Sequence, residues 1–258
     1  MRILVTNDDG ISAPGLEALV ARLSADGHRV YLVAPETNQS GIGKAVRYPA
    51  RIREVRYPGA ERAWSIDSTP ATAVLTGLQL LLDEEPDLVI SGINKGPNMG
   101  VEDILTSGTV GAALEAVVHG IPSIAASLAT DSTLRDPTLY ETASGLVASL
   151  AAALGSRDPI LLNVNVPEER PRGILLTRPA CNSYKLQLRV EDGMVKVEIS
   201  GWRQRYWDAG EGTDVWAVLN GYISVSAIQP GRLREAARPP WLVEAIERIL
   251  PATTDSSN

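Results

Sequence analysis

The sequence predicts an α/β protein built on a mostly parallel sheet with helices on both faces, and three observations carry that expectation. Over the first 170 residues, short apolar runs alternate with segments of helical spacing. The runs are nearly continuous in Val, Ile, Leu and Ala, as suits strands buried on both faces. The intervening helical segments are long enough to serve as crossovers between parallel neighbours.

Ile3 to Thr6 is the first strand, and it runs into the turn Asn7-Asp8-Asp9-Gly10. The first helix opens at Pro14, repeats Leu16, Leu19, Val20 and Leu23 on one face, and stops at Gly27. Val30 to Ala34 forms a second strand. After a long polar loop, Thr69-Pro70 opens a helix carrying Val74, Leu75, Leu78, Leu81 and Leu82, and residues 87–91 form the third strand. A helix over 109–118, a strand over 122–126, a helix over 138–154 and a strand over 160–166 continue the alternation.

Beyond residue 170 the texture changes. Lys185 to Val190 and Val195 to Ser200 flank Glu191-Asp192-Gly193-Met194, and Asp-Gly between apolar runs is a hairpin signal. Residues 1–170 are therefore read as the core. Residues 171–250 read as a β-rich extension of the same domain closed by a helix over 239–249, and 251–258 as a disordered tail.

Composition narrows the function classes. The 258 residues include one cysteine, Cys181, and two histidines, His28 and His119, too few for a disulfide or a Cys- or His-built zinc site. Any metal here is expected to be oxygen-bound. A net charge of -7 argues against a nucleic-acid coat, although Lys44, Arg47, Arg51, Arg53, Arg56 and Arg62 cluster within nineteen residues. That cluster reads equally as an anion attractor or as a charged, solvated strand edge. No apolar stretch approaches the ~20 residues of a membrane span, and the N-terminus lacks a signal-peptide core, so the expected location is cytoplasmic. Neither a Gly-x-Ser-x-Gly elbow, a P-loop Gly-Lys-Ser/Thr, nor Gly-x-Gly-x-x-Gly after the first strand occurs.

Three loops concentrate chemistry. Two adjacent carboxylates, Asp8 and Asp9, repel one another unless a cation or hydrogen-bond donors offset the cost, and the same residues can equally cap a helix or close an Asx-turn. The loop from Ala34 to Gly43 can offer Ser40 or Asn38 as a neutral oxygen ligand. Four glycines between residues 92 and 108 permit close approach of backbone to ligand. Ser107-Gly108-Thr109 then opens an Ala-rich helix whose free N–H groups favour an anion. Lys95 reads either as a phosphate ligand or as a solvated side chain.

Taken together these loops resemble one family, the SurE survival proteins, metal-dependent nucleoside monophosphate phosphatases. The resemblance rests on Thr6-Asn7-Asp8-Asp9-Gly10, Ala34-Pro35 with Ser40-Gly41, Ser68-Thr69-Pro70-Ala71, Ser91-Gly92-Ile93-Asn94 through Gly100, and Ser107-Gly108-Thr109-Val110. Gly212-Thr213-Asp214 and Asn220 to Val225 extend it to about residue 228. It implies a Rossmann-like sheet whose hairpin and C-terminal arm are exchanged between subunits of a homodimer or homotetramer. It further implies one divalent ion per subunit, Mg²⁺ or Mn²⁺, on Asp8, Asp9, Ser40 and Asn94, with Asp8 and Asp9 as the catalytic carboxylates. Asn98, Ser107, Gly108 and Thr109 would cradle the substrate phosphate, with Asn7 and Lys95 as further site residues. This chain departs from the family at Thr72-Ala73, Thr106 and Ile42 to Val46, positions that bear on base, sugar and leaving-group preference.

The expected activity is hydrolysis of nucleoside 5'- and 3'-monophosphates by metal-assisted attack of water. The partner is thus a small phosphomonoester, with neither nucleic acid nor membrane. Two rivals are a non-catalytic nucleotide-binding oligomer and a nucleotide-sugar glycosyltransferase, the latter needing a second large α/β domain that 258 residues hardly accommodate.

Overall fold

The computed structural model describes residues 1–131, 137–154, 159–181, 188–197 and 201–230. Met1–Ile228 forms one compact unit, and Gln229–Asn258 a second. The helix expected over 239–249 and the tail over 251–258 lie outside the described residues.

The strands are β1 (Arg2–Thr6), β2 (Arg29–Pro35), β3 (Ile52–Val55), β4 (Arg62–Ile66), β5 (Leu88–Lys95), β6 (Ser123–Ala129), β7 (Leu161–Pro167), β8 (Ile174–Thr177), β9 (Leu188–Glu191), β10 (Met194–Val197) and β11 (Ile223–Ile228). The helices are α1 (Pro14–Ala25), α2 (Pro70–Thr76), α3 (Gly100–Thr106), α4 (Gly108–Val118), α5 (Pro137–Leu154), α6 (Trp202–Arg205) and α7 (Asp214–Leu219). One nine-stranded sheet has the order β3-β4-β2-β1-β5-β6-β7-β11-β8. From β4 to β7 all neighbours run parallel, β3 lies antiparallel on one edge, and β11 inserts antiparallel beside β7 with β8 parallel to it.

Alternation along the strands explains the two layers of core. Ile3 and Val5 of β1 pack with Leu16, Leu19 and Leu23 of α1 and Ala143 and Val147 of α5. Leu4, between them, points the other way, toward Ala73 and Val74 of α2 and Ala112 and Ala116 of α4. The chain leaves β1 toward β2 and β4, then returns to β5 on the opposite side of β1. The β1–β5 boundary is therefore the point where strand order reverses, and side chains at these carboxyl ends border an open crevice.

Four expectations need correction. The helix from Thr69 stops as an α-helix at Thr76 and continues as a π turn over Gly77–Leu81, where a Cβ at Gly77 would stand 2.9 Å from Leu4 Cδ2. The third strand extends to Lys95 instead of ending at Ser91, with its pairing to β6 shifted between Ser91 and Asn94. The Arg-rich polar stretch contains β3 and β4. Within it Arg62 pairs with Glu54, and Arg53 with Glu36. The stretch after residue 170 forms the β9–β10 hairpin but also returns β8 and β11 to the core sheet.

Candidate active site

Thr6 ends β1 and the backbone turns at once. Asn7 Nδ2 donates to Gly10 O (2.9 Å), and Gly10 N donates back to Asn7 Oδ1 (3.2 Å). Asn7 is thus the brace of the turn that presents Asp8 and Asp9 side by side. The loop after β2 is stitched to it: Gln39 N donates to Asp8 O (2.7 Å) and Ile11 N to Pro35 O (2.8 Å). Asn38 Oδ1 accepts from Ser40 N (2.9 Å) while its Nδ2 donates to Asp9 Oδ1 (3.3 Å). Asn38 therefore shapes the loop, and Ser40 is the hydroxyl that lines the cleft.

Asp8 is 3 % exposed. Burial pushes its carboxyl up from the ordinary value, against the Thr109 hydroxyl and the N–H groups of Thr109 and Gly108, which favour the carboxylate. The Thr109 hydroxyl donates to Asp8 Oδ1, so Thr109 serves the carboxylate. It is not among the side chains lining the cleft. Gly108 is where the N-terminus of α4 meets Asp8: a Cβ there would lie 2.8 Å from Asp8 Cβ. Ser107 Oγ accepts from Val110 N (3.1 Å) as the cap of α4 and borders the cleft.

Asp9 is pushed up to about 6 by burial and by the neighbouring Asp8, while the Lys95 N–H (2.9 Å to Oδ2) and the Lys95 charge oppose the shift. Two adjacent acids that both resist ionisation mark a place where a cation would lower the energy. Asn94, at the end of β5, donates through Nδ2 to Gly96 O (2.7 Å), which leaves its amide oxygen as the group to offer a ligand. Asp8, Ser40 and Asn94 line one cleft of about 400 Å³. With Asp9 beside them, they make a donor set of two carboxylates, a hydroxyl and an amide oxygen. That set fits a hard divalent ion of the Mg²⁺ or Mn²⁺ kind.

Asn98 also lines the cleft, but its side chain is engaged: Nδ2 donates to Ser127 Oγ (2.8 Å). Its backbone is clamped by β7, with Asn98 N donating to Asn165 Oδ1 (2.8 Å), and Asn163 and Asn165 Nδ2 donating to Asn98 O (2.8 and 3.1 Å). Sequence reasoning misses both β7 asparagines, although Asn163-Val164-Asn165 within an apolar strand is a signal that could find them. Two further acids reach the cleft. Asp103 accepts from the Tyr206 hydroxyl and is pushed up to about 6, chiefly by burial, and Asp131 accepts from Trp202 N (2.7 Å to Oδ2).

Comparison with known proteins identifies the family. The family model for "Survival protein SurE" matches residues 3–186. A relative named 5'-nucleotidase SurE from Pelotomaculum thermopropionicum is 43% identical over 242 residues, 88% of this chain and 89% of that one. The 5'-nucleotidase SurE 1 of Thermus thermophilus is also 43% identical, over 88% of this chain and 91% of its own. The crystal structure of the SurE protein from Aquifex aeolicus superposes with a TM-score of 0.76 at 33% identity, covering 96% of this chain and 99% of that one. By sequence and by fold alike, the chain belongs to the SurE family.

Proposed function

We propose that this chain is a divalent-metal-dependent phosphomonoesterase that hydrolyses nucleoside 5'- and 3'-monophosphates by direct attack of water. The observation that carries the reading is the pair Asp8 and Asp9 at the β1–β5 switch point, converging with Ser40 and Asn94 beside the N-terminus of α4. The names of the relatives, 5'-nucleotidase, support the substrate class. An ion on Asp8, Asp9, Ser40 and Asn94 would supply charge neutralisation at the phosphoryl group and lower the pKa of water.

The chain's own groups do the rest. Thr109 and the Gly108 N–H hold Asp8 in one orientation, and Lys95 N and Asn38 Nδ2 hold Asp9. Ser107 and the Asn98 segment face the same cleft and hold the phosphate, while Gly108 and Thr109 act on it through Asp8. Lys95 adds positive charge at the rim. The protein works as a homodimer or homotetramer in the cytoplasm. Among the described residues, no helix is long and apolar enough to cross a membrane.

The test is phosphate release from a panel of 5'- and 3'-nucleotides with Mg²⁺, Mn²⁺ or chelator, followed by acid quench to look for phosphoenzyme. Release that needs metal and leaves no labelled protein supports the reading. Nucleotide binding without release under every metal contradicts hydrolysis, and a trapped phosphoenzyme contradicts direct attack by water.

A further inference from the structure

The turn carrying α6 reaches the cleft from far along the chain, outside the residues 3–186 that match the family model. Trp202 N donates to both oxygens of Asp131 (2.9 and 2.7 Å), and the Tyr206 hydroxyl donates to Asp103. The Trp202 side chain is 2 % exposed and meets Tyr206 edge-on, with ring centroids 6.4 Å apart. The Arg203 guanidinium lies over Trp202, 4.6 Å from the ring centroid, and also pairs with Glu169. These attachments fix the turn as one wall of the cleft.

Arg205 stands on that wall and lines the same cleft as Asp8, Asn94 and Ser107. Its Nε is buried and makes no hydrogen bond among the described residues. Asp103 feels its positive charge, yet Asp103 Oδ2 is taken by the Tyr206 hydroxyl and by Met99 N (3.3 Å). A buried donor without an acceptor costs about 1–3 kcal/mol, and such a group in a cleft finds its acceptor on what enters. A guanidinium matches the geometry of a phosphate, which can accept two parallel N–H bonds at once.

We propose that Arg205 is a substrate-binding residue that holds the phosphate of the phosphomonoester from the α6 turn, in the cleft it shares with the loops after β1 and β5. This rests on the phosphatase reading and extends it: the phosphate site is built from both the core strands and the α6 turn. Arg205 binds the ground-state dianion, so its loss acts on KM, and on the affinity for inorganic phosphate, more than on kcat.

The experiment is equilibrium dialysis of inorganic phosphate against wild type, Arg205→Gln, Arg205→Lys and Arg189→Gln, with and without Mg²⁺, alongside nucleotide kinetics. Arg205→Gln is expected to weaken phosphate binding and raise KM by about tenfold each, with Arg189→Gln unchanged, as loss of a charge-assisted bidentate contact requires. Arg205→Lys, which keeps stem and charge but not the fork, recovers part of the loss and serves if the Gln variant fails to fold. Wild-type phosphate affinity in a folded Arg205 variant overturns the inference. Phosphate binding through Arg205 with no turnover of any nucleotide defeats the phosphatase reading and leaves this one standing.

Discussion

A single methyl group at position 108 would separate the roles of packing and chemistry. A Cβ there would stand 2.8 Å from Asp8 Cβ and 2.9 Å from Oδ2, so Gly108→Ala must push the carboxylate aside. The helix itself tolerates alanine. The expected outcome is a phosphate-release rate lower by about 10²-fold with a melting temperature within a few degrees of wild type, because a shift of about 1 Å in a reacting group has that effect. A rate unchanged in the variant would show that Asp8 has no precise work to do. The turn 7–10, Ser40 and Asn94 are legible in the sequence because each sits in a short polar loop directly after an apolar strand, where the parallel sheet gathers its carboxyl ends. Asn163 and Asn165 leave only the faint signal of two asparagines in an apolar strand, and Asp103, Asp131 and Arg205 leave none, since all five become neighbours only when β6, β7 and the α6 turn close around the cleft. The bond from the Thr109 hydroxyl to Asp8 is not legible in the sequence either, for a related reason. A helix N-terminus favours negative charge of any origin, and here the charge is a side chain of the protein.

At the level of elements, buried strands and amphipathic helices announce themselves by period, and β1, β2, α1, α4 and α5 follow their sequence patterns closely. What the pattern does not carry is pairing. β3 is four residues long with a largely exposed face, so its polar sequence looks like loop, and only the register with β4 makes it a strand. β8 and β11 return to the sheet through contacts between segments nearly fifty residues apart. One buried side chain helps tie in the C-terminal stretch: fully buried Asp214 accepts from Gly100 N (2.8 Å), Ala180 N (2.9 Å) and Val215 N (2.8 Å). Asp214→Ala leaves three buried N–H groups without that acceptor, at about 1–3 kcal/mol each before relaxation. The expected outcome is a loss of about 3 kcal/mol or more in denaturant unfolding. A loss below about 0.5 kcal/mol, the usual range for surface changes, would mean that water replaces the carboxylate at no cost.

Across the whole molecule, the reversal of strand order at β1–β5 puts the two most polar strand ends side by side, and the rest of the sheet serves to hold them there. The β9–β10 hairpin stands apart from that sheet. Val190 lies opposite Val195, and Leu188 shares their face; the three are 74, 69 and 57 % exposed. A two-stranded hairpin with an apolar face is marginal alone in water, so a second copy is the natural cover under the proposed oligomer. Val190→Asp with Val195→Asp is expected to shift the molar mass in solution, read by light scattering, from dimer or tetramer toward monomer. An unchanged oligomer would show that the hairpin does not hold it together. The central claim is tested most directly by phosphate release from a nucleoside 5'-monophosphate in wild type and folded Asp8→Asn, each with Mn²⁺, Mg²⁺ and chelator. The account predicts release that needs metal and falls by about 10³-fold or more in the variant, the several kcal/mol that an anchored ion supplies. Equal release from wild type and variant, or release indifferent to chelator, would contradict it.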